Sequence, residues 1–121
     1  PQATAAGRAE AVHDAMRARE IELTQRLLEF LGSKNSLRVI GPKEAEKRAP
    51  TIGILASRAG EALAHDLASH NINAGGGDFY SPRPLEAMSI DPSQGLLRLS
   101  MTHYTSDAEL DRLISALDHV L

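Results

Sequence analysis

The chain has no cysteine and no tryptophan among its 121 residues. Without a thiol it forms no disulfide, offers no thiolate to a metal and performs no sulfur relay of its own. The same absence suits a reducing compartment, so a cytoplasmic location is the expectation. Aromatic residues make up 3% of the chain against 42% hydrophobic residues. The core must therefore be built from Leu, Ile, Val, Ala and Met, held by many small dispersion contacts rather than by large rings. An excess of one charge is lacking too: 13 basic and 16 acidic residues leave a formal net charge of −3. No basic stripe marks a nucleic-acid surface. No apolar run approaches the roughly 20 residues of a membrane helix, and no secretory h-region is present. Neither nucleic acid nor membrane is an expected partner.

What is present is the length of one domain with a real core. Between Arg8 and Leu31, the residues Val12, Met16, Leu23, Leu27, Phe30 and Leu31 recur at three- and four-residue spacings, which predicts a long helix. Gly32 is expected to close it in the left-handed conformation. Ile21 and Leu28 widen the apolar face enough to cover a second surface. Leu37, Val39 and Ile40 predict a short strand, closed by Gly41 and Pro42. The charged segment KEAEKRA reads as a loop or frayed turn. Pro50 to Ala56, nearly all apolar, predicts a central strand buried on both faces.

Ala59, Leu63 and Leu67 predict a helix ending near Ser69, followed by a brief strand through Ile72 and Ala74. Gly75, Gly76 and Gly77 read as a flexible loop that leads into Asp78, Phe79 and Tyr80. Pro82 and Pro84 preset a short helix around Leu85 to Met88. Leu96 to Tyr104 reads as a strand. Ser106 and Glu109 have the spacing of a capping box, and Leu110, Leu113, Ile114, Leu117, Val120 and Leu121 give the last helix its apolar face. The order predicts an α/β (α+β) two-layer sandwich, a small and mostly antiparallel sheet with helices on one face, preceded by the long N-terminal helix. Residues 1–32 are expected to form a linking helix and residues 33–121 the α/β domain.

Strand alternation separates Leu97, Leu99, Met101 and His103 from Leu96, Arg98, Ser100, Thr102 and Tyr104. Arg98 thus shares a face with small polar residues, either solvated on the open side of the sheet or aimed at an anion in a cleft. The five histidines lack the i, i+4 pairing of a metal-binding helix, so no metal site is expected. The glycine run matches neither G-x-x-x-x-G-K-[ST] nor G-x-G-x-x-G. There is no G-x-S-x-G elbow to present a nucleophile, and Lys34, Lys43 and Lys47 lie in polar segments unsuited to Schiff-base chemistry. Besides Arg98, the candidates for a site are the loop residues Gly77, Asp78, Phe79 and Tyr80, together with His103.

The segments RAPTIGIL, INAGGGDFY and GLLRLSMTHYTSDAELDRLISAL resemble, in order and spacing, the C-terminal small domain of class V aminotransferases, and most closely the cysteine desulfurase-like branch. The resemblance covers roughly the last three quarters of the chain. It implies a fold-type I enzyme acting on an amino acid, a transferase or lyase whose pyridoxal phosphate is held by a lysine of a separate large domain. Arg98 would then grip the substrate's α-carboxylate. Sulfur-mobilising members of the family carry a cysteine on the loop that here reads Gly75 to Tyr80, without a thiol. With its cofactor lysine elsewhere, this chain alone is expected to be inert and to bind no pyridoxal phosphate. The start at Pro1 fits a C-terminal portion whose partner is the missing large domain, and the uncovered faces imply self-association as a homodimer through the first helix. Two other readings stay open: a free-standing ferredoxin-like module that binds a small anion at Arg98, and a structural domain in which Arg98 is salt-bridged within the chain.

Overall fold

The computed structural model describes residues 4–121. Helix α1, Ala5–Gly32, opens on Thr4, whose hydroxyl accepts from the Gly7 amide at 3.0 Å and so satisfies one orphan donor of the first turn. At 28 residues it is about 42 Å long. Its buried residues are Leu23, Thr24, Leu27, Leu28 and Leu31, all in the second half. Val12 is 59% exposed, while Met16, the next residue of the predicted stripe, is half-buried. Gly32 remains in the helix, and the cap falls on Ser33 with right-handed angles, which corrects the expectation of a left-handed glycine there.

The remaining elements are β1 (Arg38–Ile40), β2 (Thr51–Leu55), α2 (Gly60–Ser69), β3 (Gly75–Gly77), α3 (Pro82–Ala87), β4 (Leu96–Ser100) and α4 (Asp107–Val120). The charged KEAEKRA segment contains one 3-10 turn, Ala45–Lys47, pinned by the buried Ala45. The four strands form one antiparallel sheet in the order β1-β2-β4-β3. Two central strands and two three-residue edges leave little open edge to attract another chain.

Ile52 and Ile54 of β2, and Leu97 and Leu99 of β4, point toward α1, α2 and α4 and form the main core with Leu23, Leu27, Leu63, Leu67, Leu110 and Leu117. The opposite face carries Thr51, Gly53, Leu55, Leu96, Arg98 and Ser100. It is partly covered where Leu85 and Ile90, from α3 and the turn after it, pack on Leu96, Ile40 and Leu55. Strand β2 is central as expected but fully buried on its helix face alone, with Thr51 exposed on the other.

The largest departure concerns the glycines. The third strand is not the Ile72–Ala74 segment but the glycine run itself, paired with β4 as Gly75↔Arg98, Gly76↔Leu97 and Gly77↔Leu96. The reason is a close approach that only glycine permits. A Cβ on Gly76 would lie 2.3 Å from the Gly60 carbonyl oxygen, and one on Gly60 would lie 2.1 Å from that of Leu96. The start of α2 therefore rests backbone on backbone against β3 and β4, and the run is a packed strand rather than a flexible hinge.

Charge joins α1 and α4. Arg19 bonds Asp107 at 3.1 Å, Arg26 bonds Asp107 at 3.1 Å and also Asp111, and Lys34 bonds Asp118. Helix α4 opens with the complete predicted capping box: the Glu109 amide donates to the Ser106 hydroxyl at 3.1 Å, and the Ser106 amide to the Glu109 carboxylate at 2.8 Å. That amide and the Ser106 hydroxyl hold the Glu109 carboxyl below its ordinary value, and the Lys34 ammonium does the same for Asp118.

Two measurements test this account. Gly60→Ala is expected to cost about 1–3 kcal/mol or more in urea denaturation, because its neighbour is backbone and cannot step aside. Gly32→Ala, which meets nothing within 4 Å, should stay within about 1 kcal/mol of neutral. A carboxylate whose folded pKa is depressed contributes stability that is present above the unfolded value of about 4 and is lost as pH falls through the folded value. The melting temperature should therefore decline below about pH 4, and Asp118→Asn should flatten that decline.

Candidate functional site

Arg98 stands in the middle of β4 on the face away from the three long helices, with its side chain exposed. The strand places it there because Leu97 and Leu99 on either side are drawn into the core, and period two turns the residue between them outward. In the sheet it lies between Gly53 of β2 and Gly75 of β3, both its direct partners in register. It has no side chain beside it on either neighbouring strand. Among the described residues Arg98 makes no hydrogen bond and no ion pair, which removes the reading of a structural arginine salt-bridged within the chain. Its one side-chain partner is Phe79, whose ring centroid lies 4.3 Å from the guanidinium carbon.

The loop that delivers Phe79 follows β3 directly. Gly77, the last residue of that strand, has φ +133°, and Phe79 and Tyr80 both adopt left-handed angles, at φ 53° and 58°. The Asp78 carboxylate accepts the Tyr80 amide at 3.0 Å, and the Asp78 carbonyl accepts the Ser81 amide at 3.0 Å. The acid is thus spent on its own loop and forms no pair with Arg98. Tyr80 is fully exposed.

Strand β4 ends at Ser100, four residues earlier than the sequence pattern implies, so His103 and Tyr104 sit in a turn closed by the Thr105 amide on the Thr102 carbonyl at 3.0 Å. There the His103 ring meets the edge of Tyr104 at 5.2 Å between centroids. Of the predicted site residues, the structure brings Arg98 and Phe79 together. Gly77 and Asp78 shape the loop, while Tyr80 and His103 make no contact with the arginine. Sequence reasoning missed the stacking of Phe79 and the two flanking glycines; the signal was the strand register, which places Gly53 and Gly75 opposite Arg98.

Other clefts lie away from this face. One of about 420 Å³ runs between the end of α1 and the β1 edge, over Leu28, Leu31 and Val39. Among the described residues there is no cluster of three or more metal-ligating side chains, and no helix is long and apolar enough to cross a membrane. Of the three lysines, Lys34 is engaged with Asp118, Lys47 with Glu44, and Lys43 is exposed.

The site is thus an antiparallel sheet backed by the long helices on one face, with an arginine on the other that forms no ion pair among the described residues. The aminotransferase class-V family profile matches residues 4–113, and the chain belongs to that family, which is in general pyridoxal-phosphate dependent. An aminotransferase-like protein of Gibberella zeae is 30% identical over 112 residues, which is 89% of this chain and 28% of that protein. Among solved structures, the fold is shared with the apo cysteine desulfurase of Thermococcus onnurineus at a TM-score of 0.79 and 20% identity, covering 88% of this chain and 26% of that one. It is shared also with the cysteine desulfurase CsdA of Escherichia coli at a TM-score of 0.71 and 16% identity, covering 86% and 25%. The chain spans about a quarter of the length of these relatives.

Proposed function

We propose that this chain is the substrate-gripping small domain of a pyridoxal-phosphate enzyme acting on an amino acid, and that Arg98 binds the substrate's carboxylate. The observation that carries the reading is the state of Arg98: exposed, without hydrogen bond or ion pair, on the one sheet face that the long helices leave uncovered. A guanidinium presents parallel N–H donors in a planar fork, and a carboxylate accepts two of them at once. A lysine in its place would act as a point charge without fixing orientation. The Gly53 and Gly75 flanks carry no side chains of their own; the space over Gly53 is taken by Leu96 and Ile40 and that over Gly75 by the Phe79 ring.

The cofactor does not fit the residues of this chain, since none of its lysines neighbours Arg98 in the sheet and each is engaged or solvated. Pyridoxal phosphate, where it is bound, supplies an electron sink for breaking a bond at the amino acid's α-carbon. This chain would contribute orientation: it fixes the carboxylate, and thereby selects which α-carbon bond faces the cofactor. The large domain that would hold the cofactor is the proposed partner. It would cover the Arg98 face and the exposed residues in the first half of α1. The chain supplies no thiol, so any sulfur it helped to mobilise would have to travel on another carrier.

In the enzyme that contains this chain, Arg98→Ala is expected to lower kcat/KM for the amino acid by about 10- to 100-fold, the worth of a charged hydrogen-bonded pair. Arg98→Lys should recover part of that loss. Unchanged efficiency in Arg98→Ala would remove the residue from substrate binding. The isolated chain should bind no pyridoxal phosphate at one-to-one occupancy in equilibrium dialysis.

A further inference from the structure

We propose that Phe79 is a positioning residue, holding the Arg98 guanidinium over the sheet so that its hydrogen-bonding edge is set for a carboxylate before one arrives. The inference rests on the carboxylate reading of Arg98 and adds the element that makes the arginine selective in direction.

An exposed arginine with no polar partner carries about 2 kcal/mol of rotamer entropy, which binding would have to remove. Something must limit that freedom if the fork is to be ready. The strand neighbours do not, because Gly53 and Gly75 have no side chains. An acidic neighbour would fix the group, but it would also fill the N–H donors and neutralise the charge that a substrate carboxylate needs. An aromatic ring avoids both losses. It lies over the face of the guanidinium, at 4.3 Å, while the donors radiate in the guanidinium plane and stay available. Asp78, the acid nearest in sequence, is bonded to the Tyr80 amide instead.

The loop is shaped to deliver this ring. Consecutive left-handed angles at Phe79 and Tyr80 are costly for large side chains and persist only where the surroundings impose them. Tyr80 is fully exposed, so the gain that repays the strain falls on Phe79. Phe79 also packs against the cluster of Leu85, Ile90 and Leu96, which anchors it beside the arginine. Gly75 completes the fit: a Cβ there would lie 3.2 Å from the Phe79 Cε1 atom and 3.7 Å from the Arg98 Nη2 atom, so the missing side chain is the space that ring and fork share.

The test reads the Arg98 Nε–Hε group by nuclear magnetic resonance in the nitrogen-15-labelled chain, assigned by its disappearance in Arg98→Lys. The expected signal is displaced upfield by the ring and is less mobile than that of the exposed Arg83. Phe79→Leu should bring shift and mobility to the Arg83 values, and Phe79→Tyr should preserve both. In a sodium acetate titration of the same signal, Phe79→Leu should raise the half-saturation concentration about 2- to 5-fold, the worth of an exposed cation–π contact. An Arg98 signal unchanged in Phe79→Leu overturns the proposal. Should that variant fail to fold, Gly75→Ala keeps the ring but drives it off the fork and should have the same effect, and an unchanged signal there overturns the proposal equally. A signal ordered by Phe79 that does not respond to acetate supports the positioning role and overturns the carboxylate reading.

Discussion

The structure depends on a place where backbone meets backbone. Gly60 at the start of α2, and Gly76 in β3, let a helix end and an edge strand approach until no Cβ fits between them. Gly95 enters the same junction with φ +61° and its Cβ position 2.5 Å from the Gly77 carbonyl carbon. This contact turns a run of three glycines, which has almost no intrinsic preference for a strand, into the fourth strand of the sheet. The Gly60 amide also donates to the Gln94 carbonyl at 3.0 Å, which ties the helix start to the entry of β4. Once β3 is fixed, so is the loop that leaves it, and with that loop the position of Phe79.

The site follows from an inequality between the two faces of one strand. Leu97 and Leu99 are buried among the helices, a gain of roughly 1.5–3 kcal/mol for each leucine removed from water. That gain sets the register and leaves Arg98 outward, since a slip of one residue would bury the guanidinium and expose both leucines. The arginine's orientation is thus secured by its hydrophobic neighbours, and among the described residues its guanidinium has no polar partner. The glycines in both adjacent strands leave room that Leu96 and Ile40 fill on one side and the Phe79 ring on the other.

Helix α1 divides into two parts with different physical roles. Its second half supplies the apolar side of the core and, through Arg19, Arg26 and Lys34, a row of ion pairs to the acids of α4. These pairs are exposed and individually worth little, but they align the two helices along their length. Its first half buries none of its residues within the chain.

The sequence by itself determined the elements whose signals are local. The period of Leu23, Leu27 and Leu31 marked α1, alternation around Arg98 marked β4, and the Ser106–Glu109 spacing marked the start of α4; each is written within a few residues and needs no distant partner. The same locality misplaced what distant contacts decide. Val12 reads as core by spacing but finds nothing to pack on. Gly32 reads as a left-handed stop, yet the helix ends on right-handed Ser33. His103 reads as strand, while pairing ceases at Ser100. Above all, the tertiary structure decided the role of the glycines and the meeting of Phe79 with Arg98. The space around a residue without a side chain is defined by what packs against it, and residues 19 positions apart met because antiparallel pairing of β3 with β4 folded the chain back on itself.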